Sequence, residues 1–116
     1  MKPLRPQAFV GSLICCFSLC APAHAQDAFA GRNLAAACFT CHGTNGHSVG
    51  GIPPSLAGRD GDELFRTMKE FQSGKRPATI MHQQAKGYTD EQIKLIAAYF
   101  AAVKPVPAAT LPKAGY

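Results

Sequence analysis

The feature that most constrains this chain of 116 residues is the run Cys38-Phe39-Thr40-Cys41-His42. Cysteines three positions apart on a turn of helix present two thiols that can each add to one vinyl group of the same porphyrin. The adjacent histidine is then held under the metal. Cys-x-x-Cys-His is accordingly the attachment pattern for a covalent haem c. It predicts thioether tethers at Cys38 and Cys41 and an axial iron ligand at His42. A ligand imidazole binds through one ring nitrogen and needs a fixed acceptor for the N–H of the other. The rest of the chain must supply that acceptor, the opposite ligand and the wall of the site. Two other uses of paired cysteines fit poorly. A thioredoxin-like motif wants strands alternating with helices around it, and structural zinc wants more ligands than two cysteines and scattered histidines provide.

Residues 1–25 have the pattern of a secretory signal peptide. Lys2 and Arg5 make a positive start, Ala8 to Ala21 is largely apolar, and Ala23-His24-Ala25 puts small residues where a signal peptidase reads. The apolar run is too short for a permanent membrane anchor, so the expectation is cleavage after Ala25 and release into the periplasm. The competing reading keeps the N-terminus through a lipid on Cys20, but Leu19 stands where a small residue is wanted. Of the five cysteines, Cys15, Cys16 and Cys20 leave with the signal. No disulfide framework then supports a mature chain of roughly 90 residues, whose core is marginal by itself; a buried macrocycle would complete it. The formal charge of +5 falls by two when Lys2 and Arg5 are lost. That surplus is small and dispersed, which argues against nucleic-acid binding. The one adjacent basic pair, Lys75-Arg76, reads as a solvated turn or as a contact for an acidic patch on a redox partner.

Residues 26–104 read as a single all-α domain. Asp27 to Ala37 predicts a first helix, with Asp27 as its cap, leading into the haem motif. Gly31 in its middle costs stability relative to alanine, and either a close helix crossing or simple tolerance accounts for it. From Gly43 to Gly58, five glycines with Pro53 and Pro54 predict a loop, and its length marks it as functional. Folded back over the histidine side, it can offer His42 a prolyl carbonyl. Pro54 is the candidate, with Leu56 as an apolar contact to the ring. Asp60 and Glu63 form a capping-box pattern for a second helix, where Leu64, Met68 and Phe71 make an apolar stripe that ends at Gly74. Pro77 turns the segment Lys75 to Gly87 out of helix, with Thr79 placed to cap a short turn. Met81 is the candidate sixth ligand here, because a thioether suits an iron that only moves electrons. His82, pointing in another direction, and Met68, on a packing stripe, are the competitors; His47 reads as a surface residue. Thr89 and Gln92 form a second capping box for a last helix with Ile93, Ile96, Ala97, Phe100 and Val103 on its apolar stripe, stopped by Lys104-Pro105. Residues 105–116 read as a proline-rich extended tail.

Cys38-x-x-Cys41-His42, Pro54-x-Leu56, Met81 and Ile96-Ala97-Ala98-Tyr99-Phe100 together resemble a class I cytochrome c over essentially the whole mature chain. The resemblance implies a few helices wrapped around one covalent haem c. It also implies that Pro54 accepts the hydrogen bond of His42, that Met81 is the sixth ligand, and that the terminal helices cross at Gly31 with Tyr99 or Phe100. Within that class, Cys41 to Gly46, Pro54 to Gly58 and Lys75 to Asp90 resemble the haem subunit of flavocytochrome c sulfide dehydrogenase. The first two segments are shared with soluble carriers that donate to terminal oxidases. His82-Gln83-Gln84 departs from the small and basic residues usual after the methionine, and one haem motif stands where some members carry two.

The implied role is non-catalytic: electrons come from the FAD of a separate flavoprotein and go on to a downstream cytochrome or oxidase. The alternative is a free carrier to a terminal oxidase. No dinucleotide fingerprint is present, so sulfide chemistry would lie in the partner. A haem peroxidase or gas sensor needs an open distal site, against which Met81 stands.

Overall fold

The computed structural model describes residues 23–107. Most of the expected signal segment, with Cys15, Cys16 and Cys20, and the end of the tail lie outside the described residues.

The first helix, α1, runs Ala23–Ala35, so Asp27 lies inside it and is not its cap. Alanine at positions 23 and 25 is the strongest of helix formers, and the helix extends through that stretch without needing the aspartate. A 3-10 turn, Ala36–Cys38, then leads into α2, Phe39–His42, so the haem motif sits on the last turns of a nearly continuous helical run. A second 3-10 turn, Thr44–Gly46, opens the glycine loop.

Helix α3 spans Gly61–Ser73. Asp60 Oδ1 accepts from Glu63 N at 2.8 Å, but the Glu63 carboxylate pairs with Arg59, so only half of the expected capping box forms. Gly74 closes the helix at φ 75°, a left-handed conformation that glycine adopts without cost. Of the expected stripe Leu64 is buried, while Met68 and Phe71 are half-buried. Residues 81–86 form a short helix, α4 (Met81–Lys86), where the sequence predicted irregular chain; its cap position is Ile80, without a side-chain bond, so Thr79 does not cap it. Tertiary anchoring replaces the cap. Gln72 Nε2 of α3 donates to both Ala85 O and Tyr88 O at 2.9 Å, and Ala85 is fully buried. Gln72→Leu removes both bonds at a half-buried site. We expect it to cost about 1–3 kcal/mol, read as a lower denaturant midpoint of the haem-loaded protein.

Helix α5, Asp90–Ala102, carries a complete capping box between Thr89 and Gln92 and buries Ile93, Ile96, Ala97 and Phe100. It crosses α1 closely. A Cβ added to Gly31 would stand 2.6 Å from Leu95 O and 3.3 Å from Tyr99 Cβ, so the glycine is there to admit the other backbone. Phe100 turns instead into a cluster with Ala35, Leu64, Ile96 and Ala97, flanked by half-buried Leu34, Cys38, Phe39, Leu56, Phe65, Tyr88 and Tyr99. No strand occurs among the described residues, and the architecture is all-α. Phe100 and Ile93 are the largest fully buried side chains, a thin core for a domain of this length.

Candidate haem-binding site

The site is built where α2 ends. His42 is its last residue and is buried, with 8 % of its surface exposed. Its Nδ1 lies 2.8 Å from Pro54 O. A carbonyl can only accept, so Nδ1 carries a proton. Nε2 is thereby the ring nitrogen left for a metal.

Pro54 reaches His42 because the loop folds back onto the turn after the motif. Leu56 N and Ala57 N both donate to Gly46 O, at 2.9 and 3.2 Å, and Ser48 N donates to Ser55 Oγ at 3.0 Å. Further along, Gly58 N donates to Phe100 O at 2.8 Å, which pins the end of the loop to α5. Gly46 has φ 80°, and a Cβ there would come within 2.8 Å of two carbons of the Phe100 ring and 3.0 Å of Ala57 N. No side chain fits. Beside it Asn45 is left-handed at φ 54°, and the Tyr99 hydroxyl donates to its Oδ1 at 2.7 Å. The reading of the sequence passed over Asn45, Gly46 and the Tyr99 hydroxyl, although an Asn-Gly pair is a recognised signal for consecutive positive φ angles. His47, expected at the surface, is half-buried; its carbonyl lies where a Cβ on Gly43 would be, 2.0 Å away.

Cys38 and Cys41 are both free thiols, Cys38 half-buried against the core and Cys41 exposed. Burial pushes the Cys38 thiol up, opposed by a backbone hydrogen bond, and the neighbouring Cys41 raises it further. Burial likewise raises the Tyr88 phenol, and a negative charge on Cys38 adds to that shift. Tyr88 and Cys38 pack on the same core cluster, a position for Tyr88 that no helix periodicity marks.

Leu56 is half-buried on the core flank. Met81 and His82 open α4 and are both half-buried, as is Met68. A cleft of about 310 Å³ between α3 and α4 is lined by Phe71, Gln72, Arg76, His82 and Lys86 among others. None of Cys38, Cys41, His42, Pro54 or Leu56 borders it, so it is separate from the tether and the histidine.

The donor set fits a haem c. Two unpaired thiols lie on the turn before an imidazole whose Nδ1 is engaged, leaving Nε2 for iron. Beside them Leu34, Leu56, Phe65 and Tyr88 pack on the core yet remain half-covered. Such apolar side chains suit the face of a large macrocycle better than water.

Residues 26–100 match the family model described as cytochrome C oxidase, cbb3-type, subunit III. Among curated proteins, the chain is 43% identical over 70 residues to the cytochrome subunit of sulfide dehydrogenase from Chlorobaculum tepidum, covering 60% of this chain and 63% of that one. It is 38% identical over 79 residues to cytochrome c-554(548) of Halomonas halodenitrificans, covering 66% and 95%. With cytochrome c4 of Pseudomonas aeruginosa it shares 38% identity over 94 residues, 80% of this chain but 47% of the longer relative.

Proposed function

We propose a particular place in electron transfer for this chain, which belongs to the class I cytochrome c family and as such carries covalently bound haem c and acts as an electron carrier, not itself as a catalyst. Our reading is that it is the single-haem subunit which accepts electrons from the FAD of a sulfide-oxidising flavoprotein in the periplasm and passes them to a downstream cytochrome or oxidase. The observation that carries this is the 43% identity to a cytochrome subunit of sulfide dehydrogenase. A relative named as a thiosulfate dehydrogenase electron acceptor, 33% identical over 69 residues, supports a dehydrogenase as the electron source.

When bound, haem supplies a one-electron couple. The work of the protein is to hold both sides of the ring still. In this reading Cys38 and Cys41 make the thioether bonds, His42 donates Nε2 to the iron, and Pro54 holds the proton on Nδ1. Met81 would supply a thioether as the second protein ligand, and Leu56 would pack against the ring. With two protein ligands in place, the site would admit no exogenous ligand and reorganise little on electron transfer. Val49 and Ile52, on the loop that carries Pro54, and Ile80, next to Met81, remain exposed. Such apolar surface beside the site suits a docking partner. No described helix is long and apolar enough to cross a membrane.

A free carrier to a terminal oxidase is the second reading, favoured by the alignment with 95% of cytochrome c-554(548). Capture of the tagged mature protein from its native periplasm separates the two. We expect co-eluting flavin at one equivalent per haem, and haem reduction on adding sulfide. Haem alone, oxidised rapidly by membranes, would leave the free carrier standing. The tether has its own test: Cys41→Ser leaves one thioether bond and shifts the alkaline pyridine spectrum, whereas an unshifted spectrum would remove Cys41 from the site.

A further inference from the structure

We propose that Tyr99 is a positioning residue for the iron ligand, its hydroxyl acting through Asn45 on the loop that presents the Pro54 carbonyl to His42. The inference rests on the reading of His42 as that ligand. It is carried by a continuous chain of contacts. The hydroxyl donates to Asn45 Oδ1 at 2.7 Å and holds a residue at φ 54°, a conformation that asparagine tolerates but that few non-glycine residues occupy. The next residue, Gly46, gives one carbonyl to both Leu56 N and Ala57 N. Two positions before Leu56 stands Pro54, whose oxygen lies 2.8 Å from His42 Nδ1.

The anchor end of this chain is rigid. The Tyr99 ring lies 5.2 Å from Phe100 and 6.1 Å from Phe39, centroid to centroid. Phe100 is buried in the core, and Phe39 is part of the haem motif itself. A phenylalanine would satisfy that packing equally well. What tyrosine adds is a hydroxyl, which at a half-buried site is stabilising only when bonded. Its partner is the residue that fixes the turn after the ligand. The consequence for the iron follows from the proton. An imidazole whose Nδ1–H is held firmly by a carbonyl is a more basic ligand, and a more basic ligand favours the ferric state. Loosening Pro54 therefore weakens the donation and raises the reduction potential.

The test uses the full haem-loaded protein in its ferrous state. In Tyr99→Phe we expect the His42 Nδ1 proton to exchange with solvent up to about tenfold faster, the worth of one such hydrogen bond. The potential shifts upward, while amide exchange at Ile96 and Phe100 is unchanged. Asn45→Ala reproduces both effects, and adding Tyr99→Phe to it changes neither further, as two groups in one link require. Unaltered exchange and potential in Tyr99→Phe overturn the proposal, and so do additive effects in the double variant. Absence of the strong upfield shift that the porphyrin ring current imposes on ligand ring protons, in the wild-type protein, overturns the assignment of His42 and this proposal with it.

Discussion

On the proposed ligation, Met81→Ala is expected to leave haem attached through Cys38 and Cys41 but to remove the sulfur ligand, so that the ferrous protein binds carbon monoxide under native conditions. The reduction potential falls by about 0.1 V or more, inside the roughly 0.8 V that axial ligands span. The sign follows from the chemistry: a thioether is a weak donor that favours ferrous iron, so losing it favours ferric. Two side chains could defeat this expectation. Met68 is half-buried on α3, and a variant that kept a low-spin, sulfur-ligated spectrum would make it the ligand. His82 follows Met81 on the first turn of α4. If it swings in after the substitution, the spectrum stays low-spin with nitrogen ligation, and Met81→Ala combined with His82→Ala then opens the site. Whichever side chain is the ligand, α4 is held in place from behind. Gln72 binds the carbonyls of Ala85 and Tyr88, and Ala85 is fully buried, so the start of the helix is not free to drift.

That the haem-attachment motif is legible in the sequence is a matter of range. Cys38, Cys41 and His42 are neighbours in the chain, and the chemistry they share demands adjacency. The capping box of Thr89 and Gln92 was readable for the same reason. At Asp60 the pattern was half right, because Arg59 competes for the Glu63 carboxylate, and a capping pattern says nothing about such a competitor. Residues 81–86 became helix where Pro77 argued for irregular chain. The anchor there is Gln72, a residue on another helix, and no local propensity carries that information. Asn45, Gly46 and the Tyr99 hydroxyl were passed over for a related reason. They meet across 54 positions of sequence, and Gly46 was one glycine among several until the Phe100 ring stood against it.

Those glycines yield a further expected result, because three of them separate two costs that usually arrive together. Gly50 has φ 83° with nothing within 4 Å of an added Cβ, so Gly50→Ala incurs only the left-handed backbone penalty, about 1–2 kcal/mol. Gly31 lies in a helix, where alanine is intrinsically better by about 1 kcal/mol. Its added carbon, however, would stand 2.6 Å from the Leu95 carbonyl, and backbone cannot rotate away as a side chain can. Forcing α1 and α5 apart costs about 1–3 kcal/mol or more, so Gly31→Ala is destabilising against its own helix propensity. Gly46 bears both costs: φ 80°, and contacts of 2.8 Å to the buried Phe100 ring and 3.0 Å to Ala57 N. Gly46→Ala is therefore expected to lose about 3–5 kcal/mol, a large part of the 5–15 kcal/mol that holds an ordinary domain together. It also moves the carbonyl on which Leu56 and Ala57 hang, so the potential shifts along with the stability, as it does not in Gly50→Ala. Denaturant midpoints of the three haem-loaded variants place Gly46→Ala lowest, with Gly31→Ala and Gly50→Ala both losing less than it. A Gly46→Ala protein no less stable than Gly50→Ala would mean that the Phe100 ring moves aside freely, and that the turn after His42 is not held by the core.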